Sequence, residues 1–207
     1  MANLARRSAM LLFSSPSCWQ SHRARLVLAE KGISAEIFDV DPHEPSEDLL
    51  ELNPYNSVPT LVDRDLILYP AQVIMEYLDE RFPHPPLLPP DPMNRGRFRL
   101  MLYRIENDWF SLLRQLDEGD AVQAEAARRA LRDSLAASVD LFAAKPFFLS
   151  DEFSLVDCSL APLLWRLPHY GIELPPQAQL VLDYAERLFR RPAFRHSLSA
   201  VERAMRP

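Results

Sequence analysis

Glycine is scarce in this chain of 207 residues: there are 4, at positions 32, 96, 119 and 171, against an average usage of roughly 7%. Spread that widely, they cannot build the GxGxxG or GxxxxGKS/T loops whose backbone cradles phosphates, so dinucleotide-binding and P-loop readings are excluded. Cysteine is nearly absent, and Cys18 and Cys158 do not form a CxxC pair. Residues 1–10 carry two arginines but no long apolar stretch after them, so no signal peptide is expected and a structural disulfide is not either. No apolar run approaches the roughly 18 residues of a spanning helix. The histidines at 22, 43, 84, 169 and 196 have no metal-ligand spacing. Positive charge is also short: Lys+Arg 23 against Asp+Glu 29 gives −6. That balance lacks the phosphate-neutralising surplus of a nucleic-acid binder, so direct sequence-specific contact with nucleic acid is not expected. The composition predicts a soluble, reduced, cytoplasmic protein with no metal and no cofactor.

Proline, by contrast, is abundant. There are 19, and six of them (83, 85, 86, 89, 90 and 92) fall within ten residues. Such a segment cannot continue a helix and favours a stiff, extended path. It separates two halves of different character. Before it, the apolar run at 9–13 reads as a strand, the spacing of Ala24, Val27, Leu28 and Ala29 as a helix stopped at Gly32, and 33–40 as a strand. A short helix over 48–52, a hairpin around Asp63-Arg64-Asp65 and a helix over 73–82 follow. After residue 93 every pattern is helical, with long helices at 93–117 and 121–143, a third starting at Ser154, and shorter ones at 176–191 and 193–205. The expected architecture is an α/β thioredoxin-like domain at 1–82, a proline-rich linker and surface motif at 83–92, and an all-α domain at 93–207.

The third helix start has a local mechanism. Ser154 and Asp157 form a variant capping box, in which the hydroxyl and the carboxylate satisfy backbone donors at the helix end. Phe153 and Cys158 suit the flanking apolar staple, and Cys158 reads as a small core residue. Asp157 as a catalytic carboxylate is the competing reading. Arg95, Arg97, Arg99 and Arg104, interleaved with apolar residues, read as the solvated face of a helix. Trp109 and Phe110 suit a dimer interface and the core of the helical half equally well.

The order of elements, Asn53-Pro54 followed by Val58-Pro59-Thr60-Leu61, the helix at 74–78 and the Ser154/Asp157 box together resemble the glutathione transferase superfamily. The resemblance implies a cis Val58-Pro59 bond, with Val58 as the residue whose backbone would pair with glutathione. It places Cys18 at the position of the catalytic residue in the cysteine-type classes, beside a helix N-terminus with His22 or Arg23 near. There it is either a reactive thiol or a partly buried bystander. Where glutathione-binding members carry an acidic or amide residue followed by serine, this chain has Pro70-Ala71. Gln72, one residue later, is the nearest substitute. The cleft formed by Cys18, Val58, Pro59, Pro70 and Ala71 is therefore expected to be vestigial.

Longer runs resemble the stringent starvation protein A family. They are Ser21-His22-x-x-Arg25 through Gly32, Val58 to Arg64, Ile74 to Leu87, Arg104-Ile105-Glu106-x-Asp108-Trp109, and Phe148 to Cys158. That resemblance implies a dimer, of identical or related chains, that associates with RNA polymerase holoenzyme and alters transcription under starvation without transferase chemistry. It also implies that Pro83, His84, Pro85 and Pro86 form the partner-binding surface, with Leu87 adding apolar area. Read from the residues alone, the same prolines make a stiff tether. A glutathione-dependent transferase or thiol oxidoreductase using Cys18 is the alternative function.

Overall fold

The structure, a computed structural model, describes residues 9–41, 44 and 46–206. Residues 1–8, where no signal peptide is expected, and His43 lie outside the described residues.

In chain order the elements begin β1 (Leu11–Ser14), α1 (Trp19–Glu30), β2 (Glu36–Asp39), α2 (Glu47–Leu52), β3 (Thr60–Asp63), β4 (Leu66–Leu68) and α3 (Ala71–Arg81). They continue α4 (Pro92–Ile105), a π-helical turn Glu106–Phe110, α5 (Ser111–Glu118), α6 (Ala121–Ala137), α7 (Val139–Ala143) and α8 (Leu155–Trp165). A short 3-10 turn, α9 (Gln179–Phe189), α10 (Pro192–Ser197) and α11 (Ala200–Arg203) close the chain. This is the glutathione transferase fold, a thioredoxin-like α/β unit and a helical unit.

The four strands lie in the order β2-β1-β3-β4, with β2 parallel to β1 and the other two pairings antiparallel. Strand β1 is inside the sheet, which explains its unbroken apolar run: all four residues are buried. Leu11, Phe13, Val40, Leu49 and Val62 form one core cluster there. The edge strand β2 is exposed at all four positions, so its partial alternation buries nothing. Gly32, at φ +63, stops α1 as the pattern predicts.

The chain divides into two compact units, Met1–Pro85 with Pro192–Ala204, and Pro86–Arg191 with Met205–Pro207. The first break falls inside the proline segment. Residues 192–204, however, which the pattern alone groups with the helical half, pack on α1 of the first unit. Phe194 is buried there with its ring 5.3 Å from that of His22, and a set of ionic contacts lies beside it. Arg25 of α1 donates from Nη2 to both oxygens of Glu202 at 2.7 Å, from Nη1 to Ser14 Oγ at 2.5 Å and to the Ser15 carbonyl at 3.1 Å, and from Nε to the Ser197 carbonyl at 3.1 Å. His22 Nε2 lies 3.0 Å from Ser197 Oγ, and its Nδ1 3.4 Å from Glu202. Both His22 and Glu202 are fully buried. A buried charge must be paired, so these contacts hold the C-terminal helices to α1.

In the second unit α8 is the central helix, buried from Leu155 to Leu164. Trp109 and Phe110 are core residues: Trp109 stacks on Phe142 at 5.8 Å and donates to Ser134 Oγ at 2.9 Å, and Phe110 is fully buried. Leu87 is buried too, its carbonyl accepting the Leu155 N–H at 2.9 Å. It therefore adds no area to the exposed prolines, a correction to the expected surface. Cys158 sits in the same core.

Candidate functional site

Three chain segments of the first unit carry the residues that the resemblance assigns to a glutathione cleft. β1 leads through Ser15-Pro16-Ser17 to Cys18, which caps α1 with its backbone and leaves its side chain out of the cap. The thiol is half-buried and unpaired with Cys158. The imidazole of His22, one of the two residues named beside it in the reactive-thiol reading, contacts Ser197 and Glu202.

The second segment, 53–60, is shaped by one side chain. Asn53 is fully buried, and its Nδ2 donates to the Ser57 carbonyl at 3.1 Å, Ser57 Oγ at 3.0 Å and Thr60 Oγ1 at 2.9 Å. Its Oδ1 accepts from the Tyr55 N–H at 3.0 Å, and Thr60 Oγ1 donates to the Ser57 carbonyl at 2.8 Å. This network delivers a half-buried Val58 into the cis bond to a buried Pro59, as the resemblance implies. Tyr55, 76% exposed, packs edge-on against Tyr69 at 5.7 Å.

The third segment opens α3. Pro70 stands at its N-cap without a side-chain bond and Ala71 is buried. Gln72 Nε2 donates to Glu76 Oε1 of its own helix at 3.2 Å, so it does not stand in for the missing hydroxyl. The Val58-Pro59 loop thus has the cis bond that the resemblance implies, and α3 opens on Pro70-Ala71 with no polar side chain at either position.

The proline surface has different support. Pro83, His84 and Pro85 are exposed at the end of the first unit, and so is Pro86 at the start of the second. The His84-Pro85 bond is cis. Beneath residues 82–85, Lys31 Nζ donates to Asp79 Oδ1 at 2.5 Å, to the Phe82 carbonyl at 2.8 Å and to the Pro85 carbonyl at 2.5 Å. In the sequence Arg25 and Lys31 stand out only as members of the run from Ser21 to Gly32. They are two of several charged residues in and just after α1, and nothing local names their partners.

Asp157 is a structural carboxylate. Its Oδ1 accepts from the Phe148 N–H at 2.9 Å and the Tyr184 hydroxyl at 2.6 Å; its Oδ2 accepts from the Ser154 N–H at 2.8 Å and the Ser154 hydroxyl at 2.9 Å. Ser154 Oγ accepts in turn from the Val156 N–H at 3.2 Å. Burial raises the Asp157 pKa above the usual carboxylate range against the pull of these donors. Burial, and then Asp157 itself, raises the Tyr184 hydroxyl well above its ordinary value. With two donors on each oxygen, the carboxylate has no open position for a substrate. Among the described residues no cluster of His, Cys, Asp or Glu could hold a metal ion, and no helix is long and apolar enough to cross a membrane.

Family models for the glutathione S-transferase N-terminal and C-terminal domains match residues 8–80 and 120–190. A glutathione transferase from Methylococcus capsulatus superposes with a TM-score of 0.83 at 27% identity, covering 95% of this chain and 98% of that one. The fold and these matches make the chain a member of the glutathione transferase superfamily. The stringent starvation protein A homolog of Coxiella burnetii is 50% identical over 98% of both chains. Maleylacetoacetate isomerase of Pseudomonas aeruginosa is 30% identical, covering 91% of this chain and 95% of the relative. The chain belongs to the stringent starvation protein A family of that superfamily.

Proposed function

We propose that this protein is a starvation-response regulator that binds RNA polymerase through Pro83, His84, Pro85 and Pro86 and performs no transferase step. The supporting observation is a proline turn that is exposed and yet held at both ends by one buried ammonium. A turn ordered in advance loses little conformational entropy on docking, and proline rings offer apolar area at low entropic cost. His84 adds a directional hydrogen-bonding group. The name of the 50% identical relative, a stringent starvation protein, supports the same reading, as does Pro70-Ala71 in place of a polar pair in the cleft. The protein acts in the cytoplasm as a dimer of identical or related chains, through protein contact and not through base readout. The test is the triple alanine variant at Pro83, His84 and Pro85 in a pull-down of polymerase holoenzyme. Association is lost while the melting temperature and the dimer are kept; retained association would sink this surface.

A second reading rests on Cys18, a half-exposed thiol at the first turn of α1 beside an intact Val58-Pro59 loop, and on the 30% identity to an isomerase. It requires glutathione to bind at millimolar concentration in a calorimetric titration, with a turnover of mixed disulfide that Cys18→Ser removes.

A further inference from the structure

The chain uses arginine for nearly all of its 23 cationic side chains; only Lys31 and Lys145 are lysines. Lys145 is a surface residue, 45% exposed, paired with an exposed Asp151. Lys31 is the opposite case, its side chain fully buried. An ammonium has three donors arranged around a single point, and here each has its own acceptor: the Asp79 carboxylate, the Phe82 carbonyl and the Pro85 carbonyl. A planar guanidinium fork spreads its donors in one plane and does not converge on three such acceptors.

The two carbonyls need an outside donor because of the local sequence. Pro83, Pro85 and Pro86 have no backbone N–H, so His84 carries the only backbone donor of residues 83–86. The carbonyls of Phe82 and Pro85 bracket Pro83 and His84, and one ammonium satisfies both. Asp79, on the last turns of α3, neutralises the charge and fixes where the ammonium sits.

We propose that Lys31 is the positioning residue of the surface made by Pro83, His84 and Pro85: its ammonium pins the turn from below and sets the shape a partner meets. This rests on the reading of that surface as the polymerase contact. Lys31 itself touches no partner, because it is buried.

The test measures loop order and affinity separately on the full chain. Nitrogen relaxation of the His84 amide gives an order parameter near the rigid value of about 0.85 in the wild type. In Lys31→Met/Asp79→Leu both charges leave together, so no buried carboxylate is stranded. The His84 value then falls below about 0.6. Affinity for polymerase holoenzyme falls about tenfold or more, because the turn must be ordered on docking instead of beforehand. Lys31→Arg keeps the ion pair with Asp79 and still loosens His84, which serves as the test should the double variant fail to fold. A His84 amide that stays rigid in both variants overturns the proposal, and so does a loosened His84 with unchanged affinity. If the wild type binds no polymerase while His84 still loosens, the partner reading fails and the role of Lys31 in holding the turn stands.

Discussion

Two loops of the first unit, 53–60 and 82–85, are each built on proline and each pinned by a single polar side chain, yet the pins come from different distances. Asn53 clamps its own loop, with every partner within seven residues of itself. Lys31 reaches a loop 51 to 54 residues further along the chain. A local clamp is neutral, and its geometry follows from one turn of backbone. A remote clamp is a buried charge that needs a counter-charge, here Asp79, as Arg25 needs Glu202. The two loops also differ in what they present. The first carries a half-buried Val58 before a buried Pro59; the second aims rings and an imidazole at solvent.

The contrast between remote charged pins and local neutral ones sets an order of expected effects. The largest belongs to Arg25→Met, which strands the fully buried Glu202 and costs about 3–5 kcal/mol. Urea unfolding measures it, and Arg25→Met/Glu202→Leu recovers most of the loss. A double variant no better than the single one would break the claim that the loss in Arg25→Met comes from the stranded Glu202 carboxylate. Asn53→Ala comes next, at about 1–3 kcal/mol, since it leaves buried acceptors and donors of its loop unmet.

The helical unit supplies a third pin, neutral in part, at Tyr184 on Asp157. Tyr184→Phe costs about 1–3 kcal/mol and changes the pH profile. The folded pKa of Tyr184 lies above the ordinary 10.0, so its contribution is fully present below that value and is lost as pH rises through the folded pKa. Stability of the wild type therefore falls above about pH 10 by a component that Tyr184→Phe lacks; identical alkaline profiles would refute the buried hydroxyl's role. Asp157 has the same sign at the other end of the scale. Its folded pKa is raised from 3.8, so its titration favours the fold below that value and the contribution is lost as pH rises through the folded pKa. The smallest stability effect is at the exposed surface: His84→Ala shifts unfolding by within about 0.5 kcal/mol. A larger shift would mean that the side chain carries part of the fold, which would undo the contrast between presented and pinning residues.

Features legible in sequence are those whose cause is local. The Ser154/Asp157 box joins residues three apart, and the structure adds Tyr184 and Phe148 as further donors to the same carboxylate. The Asp63-Arg64-Asp65 turn and the Gly32 stop follow from turn and cap chemistry. Four misses or open choices share one cause. Leu87 looks like surface area beside prolines but is buried under α8; Trp109 and Phe110 suit core and interface equally until Phe142 and Ser134 are placed against Trp109. Residues 192–204 have the periodicity of any short helices and reveal nothing of Arg25. His22 has neighbours in sequence that suggest Cys18, and partners in space that are Ser197 and Glu202.

By itself, the scarcity of glycine excluded a phosphate loop, and the clustering of proline marked where the first break between the two compact units falls. Both follow from backbone freedom, which is a property of each residue alone. The tertiary structure decided which of those prolines are seen by solvent and which charges hold them in place. A buried ammonium or guanidinium is stable only where its counter-charge arrives, and Asp79 and Glu202 arrive from distances along the chain that no local pattern encodes.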